Sequence, residues 1–116
     1  MGKLKKRYVG KIGYCDNADL GISLSGGHYV YIRKYNGSTC DVNVVTSLED
    51  KGFNSNKLNK VKQGYLYAIP KNDTNFSKWS AINLTSIKGV ETSKIKTIGI
   101  KRIKTRHKWF VGKFYK

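Results

Sequence analysis

The chain has 116 residues, enough for one domain with a modest core that needs no metal or disulfide. Its 39% hydrophobic content, with 8 Tyr, 4 Phe and 2 Trp, excludes a solvated disordered tail, and no apolar run approaches the ~18 residues of a membrane span. The net charge of +16, from 23 basic and 7 acidic side chains, calls for a polyanionic partner: nucleic acid, an acidic protein or an anionic surface.

The charge is uneven. Residues 1–58 carry 9 basic and 5 acidic groups, and residues 59–116 carry 14 and 2. A single basic run is by itself only a solvated face, but a whole chain of like charge costs stability unless function uses it. Cys15 and Cys40 lack metal-ligand spacing, and Cys40 falls on an apolar strand face as a small buried residue. Nothing in the sequence calls for a metal or a cofactor. With no secretory signal after Met1, the expected location is the cytoplasm.

In chain order, residues 1–7 form a basic flexible arm. Tyr8–Tyr14 alternates as a first strand, and Cys15–Gly27 reads as a loop. Two β-rich runs then flank Asn36-Gly37, a strong hairpin signal. A two-residue turn there would set Val30 against Asn43, whereas a three-residue turn over Tyr35-Asn36-Gly37 sets Val30 against Val42 and Ile32 against Cys40. Matching apolar with apolar favours the longer turn. One hairpin face then holds His28, Val30, Ile32, Cys40, Val42, Val44 and Thr46, and runs out at a histidine and a hydroxyl. The other face, with Tyr29, Tyr31, Arg33, Asp41 and Asn43, is expected to be wettable.

Leu48–Gly64 is polar, with Ser55 capping a short helix that holds Leu58 and Val61 and is closed by Gly64. A loop of this length in a small domain is often a binding element. Tyr65–Ile69 is a strand stopped by Pro70, Lys71–Ser77 a loop, and Trp79–Ile87 a further strand. Glu91-Thr92-Ser93 caps at most a short helix, since Gly99 and the Ile98/Ile100 alternation oppose a long one, and Trp109–Tyr115 is a terminal strand. These elements make a mostly β protein, a small antiparallel barrel with long polar loops and at most one or two short helices.

Gly10-Lys11-Ile12-Gly13-Tyr14, then Gly26-Gly27-His28-Tyr29-Val30-Tyr31-Ile32, then Val44-Val45-Thr46-Ser47 resemble the opening strands of the MazF/PemK toxin endoribonucleases. The likeness lies mainly within residues 8–48. It implies that residues 8–116 form one SH3-like barrel, that a homodimer is expected, that the activity is metal-independent cleavage of single-stranded RNA, and that an acidic antitoxin is the inhibitor. In that family an Arg just after the glycines and a Thr or Ser closing the second strand carry the chemistry. Thr46 or Ser47 matches the second position, and Gly27 or His28 stands at the first.

Cleavage without a metal needs a base for the ribose 2′-OH, an acid for the leaving oxygen and positive charge on the phosphorane. His28 has the side chain suited to acid–base work near neutrality, and Thr46 or Ser47 would hydrogen-bond the phosphate. Candidate nucleic-acid contacts are Tyr29 and Tyr31 for stacking, Arg33, Lys57, Lys60 and Lys62 in the middle of the chain, and the cluster Lys101, Arg102, Lys104, Arg106, His107 and Lys108. The alternatives are a non-cleaving nucleic-acid-binding barrel and a basic protein that docks an acidic one.

Overall fold

The computed structural model describes residues 5–49, 52–71, 76 and 78–101. Seven strands form one antiparallel sheet: β1 (Ile12–Asp16), β2 (Gly27–Tyr35), β3 (Thr39–Ser47), β4 (Leu66–Ile69), β5 (Ser80–Asn83), β6 (Ile87–Glu91) and β7 (Lys96–Lys101). Two short helices, α1 (Asn17–Leu20) and α2 (Ser55–Lys62), and 3₁₀ turns at Lys6–Tyr8 and Thr92–Lys94 complete the described chain. The strand order is β4-β5-β3-β2-β1-β7, with β6 also paired to β3. The sheet curls into the small barrel-like form expected of a mostly β sequence.

β3 organises this curl. One of its edges pairs with β2 over Cys40–Val45, while the other pairs with β6 over Thr39–Val42 and with β5 over Val45–Ser47. One long strand therefore carries two successive neighbours on the same edge, and the sheet bends where β5 gives way to β6.

The β2–β3 register differs from expectation. Val30 faces Val44 and Ile32 faces Val42, after which Arg33 is the extra residue of a bulge and Tyr35 faces Cys40. The bend is the two-residue Gly37-Ser38, closed by the Asn36 N–H donating to the Thr39 carbonyl at 2.9 Å. Gly37 has φ +84°, which the first central position of a type II′ turn requires. The bulge takes up the residue that the sequence reading had assigned to the turn. Because the error is two residues, the faces are unchanged: Val30, Ile32, Cys40 and Val42 are all fully buried in one cluster with Cys15, Val90 and Ile95.

The opposite hairpin face is wet only at Tyr29, which stays exposed, and in part at Arg33, while Tyr31, Asp41 and Asn43 are buried. Tyr31 is only 4% exposed and packs with Ile12, Val45, Ile69 and Ile82, and Asn43 is completely buried. The curl brings strands over both faces, a property of closure that a two-strand pattern does not contain. Burial pushes the Tyr31 phenol above its ordinary pKa, against the pull of Arg33. Asn43 Nδ2 donates to the Asn83 carbonyl at 2.9 Å and Asp41 Oδ1 accepts from the Gly89 N–H at 3.2 Å, whereas Asn43 Oδ1 is buried with no hydrogen-bond partner among the described residues.

Other boundaries moved for local reasons. Lys6–Tyr8 is a 3₁₀ turn, the first strand begins at Ile12 rather than Tyr8, and the expected loop opens with the last two residues of β1 and then α1. Asn54, not Ser55, caps α2, its Oδ1 accepting from the Lys57 N–H at 3.0 Å. At the far end the Tyr65 N–H reaches the Lys60 carbonyl and the Gly64 N–H the Val61 carbonyl, a Schellman closure with Gly64 at φ +83°. The run Trp79–Ile87 is not one strand, because Asn83 Oδ1 accepts the Thr85 N–H at 2.9 Å and turns the chain. β6 begins beyond that turn. The helix anticipated after Glu91 is the 3₁₀ turn Thr92–Lys94 leading into β7. The terminal strand expected at Trp109–Tyr115 lies outside the described residues. No helix among the described residues is long and apolar enough to cross a membrane.

Candidate nucleic-acid site

Thr46 is the second-last residue of β3 and shares its face with Val44 and the buried cluster. Beyond the reach of β6 that face is no longer sealed, and a cavity of about 370 Å³ opens over Val44 and Thr46. Lys57 and Lys60 of α2 line it, with Tyr65 and Leu66 at the start of β4 and with Asn83 and Thr85 at the hand-over from β5 to β6. The volume falls in the ~300–1,000 Å³ range of small-molecule sites.

Lys57 ties the cavity together. Its Nζ donates to Thr46 Oγ1 at 2.9 Å and to the Ser47 carbonyl at 2.8 Å. An ammonium has three donors, so one remains to be directed at a ligand. Thr46 accepts this bond with its oxygen, which leaves its own proton free to donate. The result is a hydroxyl donor and an ammonium side by side, with a second ammonium on Lys60 one turn along α2. That combination suits a phosphate.

Tyr65 is 62% exposed at the rim, yet its backbone is clamped on both sides. Its N–H donates to Lys60, and its carbonyl accepts from the Leu84 N–H at 3.0 Å. An exposed aromatic ring on a fixed backbone is a stacking platform for an unpaired base.

Ser47 is divided from Thr46 by the alternation of the strand. Its Oγ donates to the Glu49 carbonyl at 2.6 Å and accepts the Glu49 N–H at 3.2 Å. It borders a smaller cavity of about 160 Å³ with Tyr29, Phe76 and Lys78, on the other side of the sheet. Of the Thr46-Ser47 pair, then, only Thr46 offers its side chain to Lys57, and Ser47 meets it through the backbone carbonyl.

His28 lies near the start of β2, paired with Cys15 of β1, on the same face as Thr46. The β2–β3 ladder ends at Tyr29 opposite Val45, and His28 and Thr46 follow one step beyond it. His28 is not among the residues that line the larger cavity. Its Nδ1 is 2.6 Å from Asn17 Oδ1, while Asn17 Nδ2 donates to the Ser25 carbonyl at 3.1 Å. The amide is thereby oriented with its oxygen towards the ring. An amide oxygen cannot donate, so the proton sits on His28 Nδ1 and, in the neutral ring, Nε2 is an acceptor. Asn17 is only 3% exposed, and its backbone bonds to Gly26 and Ile22 hold it in place. The structure therefore holds the imidazole and the hydroxyl on one face, each engaged by a different helix: α1 for His28, α2 for Thr46.

Of the two positions where the family resemblance would place an arginine, His28 carries the imidazole and Gly27 has room for no side chain. A Cβ there would lie 2.6 Å from the Cys15 carbonyl and 2.7 Å from the Tyr14 hydroxyl.

The remaining candidates divide sharply. Lys57 and Lys60 line the cavity, whereas Lys62 is exposed in the last turn of α2. Tyr31 is buried and so is no stacking platform. Tyr29 stays 37% exposed, edge-on to Tyr14 at 5.3 Å and Phe76 at 5.0 Å, near the smaller cavity. Arg33 occupies the bulge. Lys101 ends β7, and Arg102, Lys104, Arg106, His107 and Lys108 lie outside the described residues. Sequence reasoning missed Asn83 and Thr85, because their turn is hidden inside an alternating run. Asn83-Leu84-Thr85-Ser86 was the available signal, as four residues rich in turn formers.

Both cysteines are free and buried, and burial, as the main cause, pushes each thiol up to about 11. Among the described residues no cluster of three or more His, Cys, Asp or Glu side chains could hold a metal ion. Compared with models of known protein families, with curated proteins and with solved structures, the chain matches none.

Proposed function

We propose that this protein acts on single-stranded RNA in the cytoplasm as a toxin-class endoribonuclease that needs no metal, and that the Lys57–Thr46 cavity is its phosphate seat. The observation that carries the reading is the bond from Lys57 Nζ to Thr46 Oγ1 on the floor of a cationic cavity rimmed by the exposed ring of Tyr65. Charge alone would suit any polyanion, but a stacking ring beside the cations favours a strand with unpaired bases.

In the proposed reaction His28 Nε2 takes the 2′-OH proton, and O2′ attacks the adjacent phosphorus. The O2′–P bond forms as the P–O5′ bond breaks, giving a 2′,3′-cyclic phosphate and a free 5′-hydroxyl. Lys57 and the Thr46 hydroxyl hold the non-bridging oxygens as charge builds on them. The departing 5′-oxygen takes its proton from the Lys57 ammonium, and exchange with water resets both side chains. Asn17 supports the first step by fixing the imidazole tautomer. An acidic antitoxin would compete with RNA for the same lysines.

A second reading, an RNA-binding barrel that does not cleave, is favoured by one observation: the His28 ring is turned to Asn17 and does not line the cavity. Incubating the protein with single-stranded RNA in excess chelator separates the two. Fragments ending in cyclic phosphate, lost in Thr46→Val and His28→Ala, support the nuclease. RNA retained intact, with affinity falling steeply as salt rises, supports the binder. If RNA is neither cut nor bound at low salt, both readings fail and the acidic-protein alternative stands.

A further inference from the structure

We infer that Asn83 sets base preference in the cavity, favouring a base with a carbonyl at C4 or C6 (uracil or guanine) over one with an amine at that position (cytosine or adenine). This rests on the reading that RNA occupies the cavity.

Asn83 is pinned at two points. Its carbonyl accepts from the side chain of the fully buried Asn43, and its Oδ1 accepts the Thr85 N–H at 2.9 Å. A backbone N–H can only donate, so the amide must turn its oxygen to Thr85. Its Nδ2 group is then the part available to a ligand, and it carries donors only. Asn83 lines the cavity together with Tyr65, the ring on which a base would stack, and with the Lys57–Thr46 pair that would hold the neighbouring phosphate.

A fixed donor discriminates at one point on the base. Uracil O4 and guanine O6 accept a hydrogen bond, whereas cytosine N4 and adenine N6 are amines that would meet Nδ2 donor to donor. The Thr85 hydroxyl can donate or accept and so carries no preference of its own. Discrimination should therefore rest on Asn83 and follow the keto or amino character of the base rather than its size.

The test is titration of the full chain in chelator with the 3′-monophosphates of uridine, cytidine, guanosine and adenosine, followed by NMR chemical shifts. Uridine should bind about three- to tenfold tighter than cytidine, and guanosine tighter than adenosine by a similar factor, the worth of one hydrogen bond. Asn83→Asp keeps an oxygen for Thr85 and offers a second oxygen to the base, so the uridine-to-cytidine ratio should invert even though the added charge weakens all four. Asn83→Ala should bind the four nearly equally. Equal wild-type affinities for uridine and cytidine, or a preference that survives in Asn83→Ala, would overturn the role of Asn83 while leaving RNA in the cavity. Should none of the four bind and none displace RNA, the cavity reading itself is wrong. The wild-type comparison decides even where a variant fails to fold.

Discussion

One face of β3 behaves in two ways along its length. At Cys40 and Val42 it is completely buried, because β6 pairs alongside and Ile95 closes over it. Two residues on, at Val44 and Thr46, β6 no longer pairs, and the cover is α2, tied down by a lysine. At the sealed end the side chains of Val90 and Ile95 cluster with Cys40 and Val42 and leave those two no exposure, so what lies there must be apolar. A helix with no buried residue, anchored through Lys57, leaves a cavity with charge at its edge. The change of neighbour from β6 to β5, rather than any change in β3, converts core into site.

The contrast can be broken from either end. Ile32→Ala at the sealed end should cost about 2–5 kcal/mol in urea unfolding, as for other buried aliphatic truncations, while the folded fraction keeps the proposed RNA activity. Lys57→Ala at the open end should do the reverse: cleavage falls about 100-fold, while unfolding stability drops by no more than ~1.5 kcal/mol. If Lys57→Ala unfolded the protein as readily as Ile32→Ala, the two ends would not differ in the way described.

What could be foreseen follows the same division. The sealed end was legible, because alternation fixes which residues share a face, and even a register wrong by two kept Val30, Ile32, Cys40 and Val42 together. The helix over Leu58 and Val61 and its closure at Gly64 were legible from local chemistry. The open end was only half legible. Thr46, Lys57 and Lys60 were all candidates, but that Lys57 reaches Thr46 depends on how α2 lies across the sheet. No period encodes that. The burial of Tyr31 and Asn43 was hidden for a related reason, since closure of the sheet covers a face that the hairpin alone would leave wet. Asn83 was missed because a side chain–backbone turn interrupts a strand pattern without changing it.

A finer probe of the open end is Asn17→Ala. It removes the acceptor that keeps the proton on His28 Nδ1, 2.6 Å away, and touches nothing in the cavity. Cleavage should fall about tenfold as the ring divides between tautomers, with RNA affinity unchanged. Asn17→Ser, which keeps a polar acceptor nearby, should recover part of the rate. An equal loss of affinity would instead mean that α1 shapes the RNA surface itself.

The last effect is at the sealed end and shows only in alkali. Cys15 and Cys40 are held up to about 11 from an ordinary 9.0, chiefly by burial, with Asp19 and Asp16 adding to the shift at Cys15 and Lys96 opposing it. Below pH 9 both thiols keep their protons whether the chain is folded or unfolded, so they add no pH dependence. Between pH 9 and 11 the unfolded chain ionises them and the folded chain does not, so the unfolded state gains and stability must fall as pH rises. Above about 11 both states are ionised and the decline from this source ends. Each thiol contributes at most about 1.4 kcal/mol per pH unit in that window. Lysines and tyrosines titrate there too, so the measurement is the difference in slope of urea midpoints between wild type and Cys15→Ala/Cys40→Ala. The wild type should fall more steeply between pH 9 and 11, and at pH 8 its thiols should resist labelling until the chain unfolds. Equal slopes would mean that water reaches the cysteines, and the sealed end would then be no drier than the cavity two residues away.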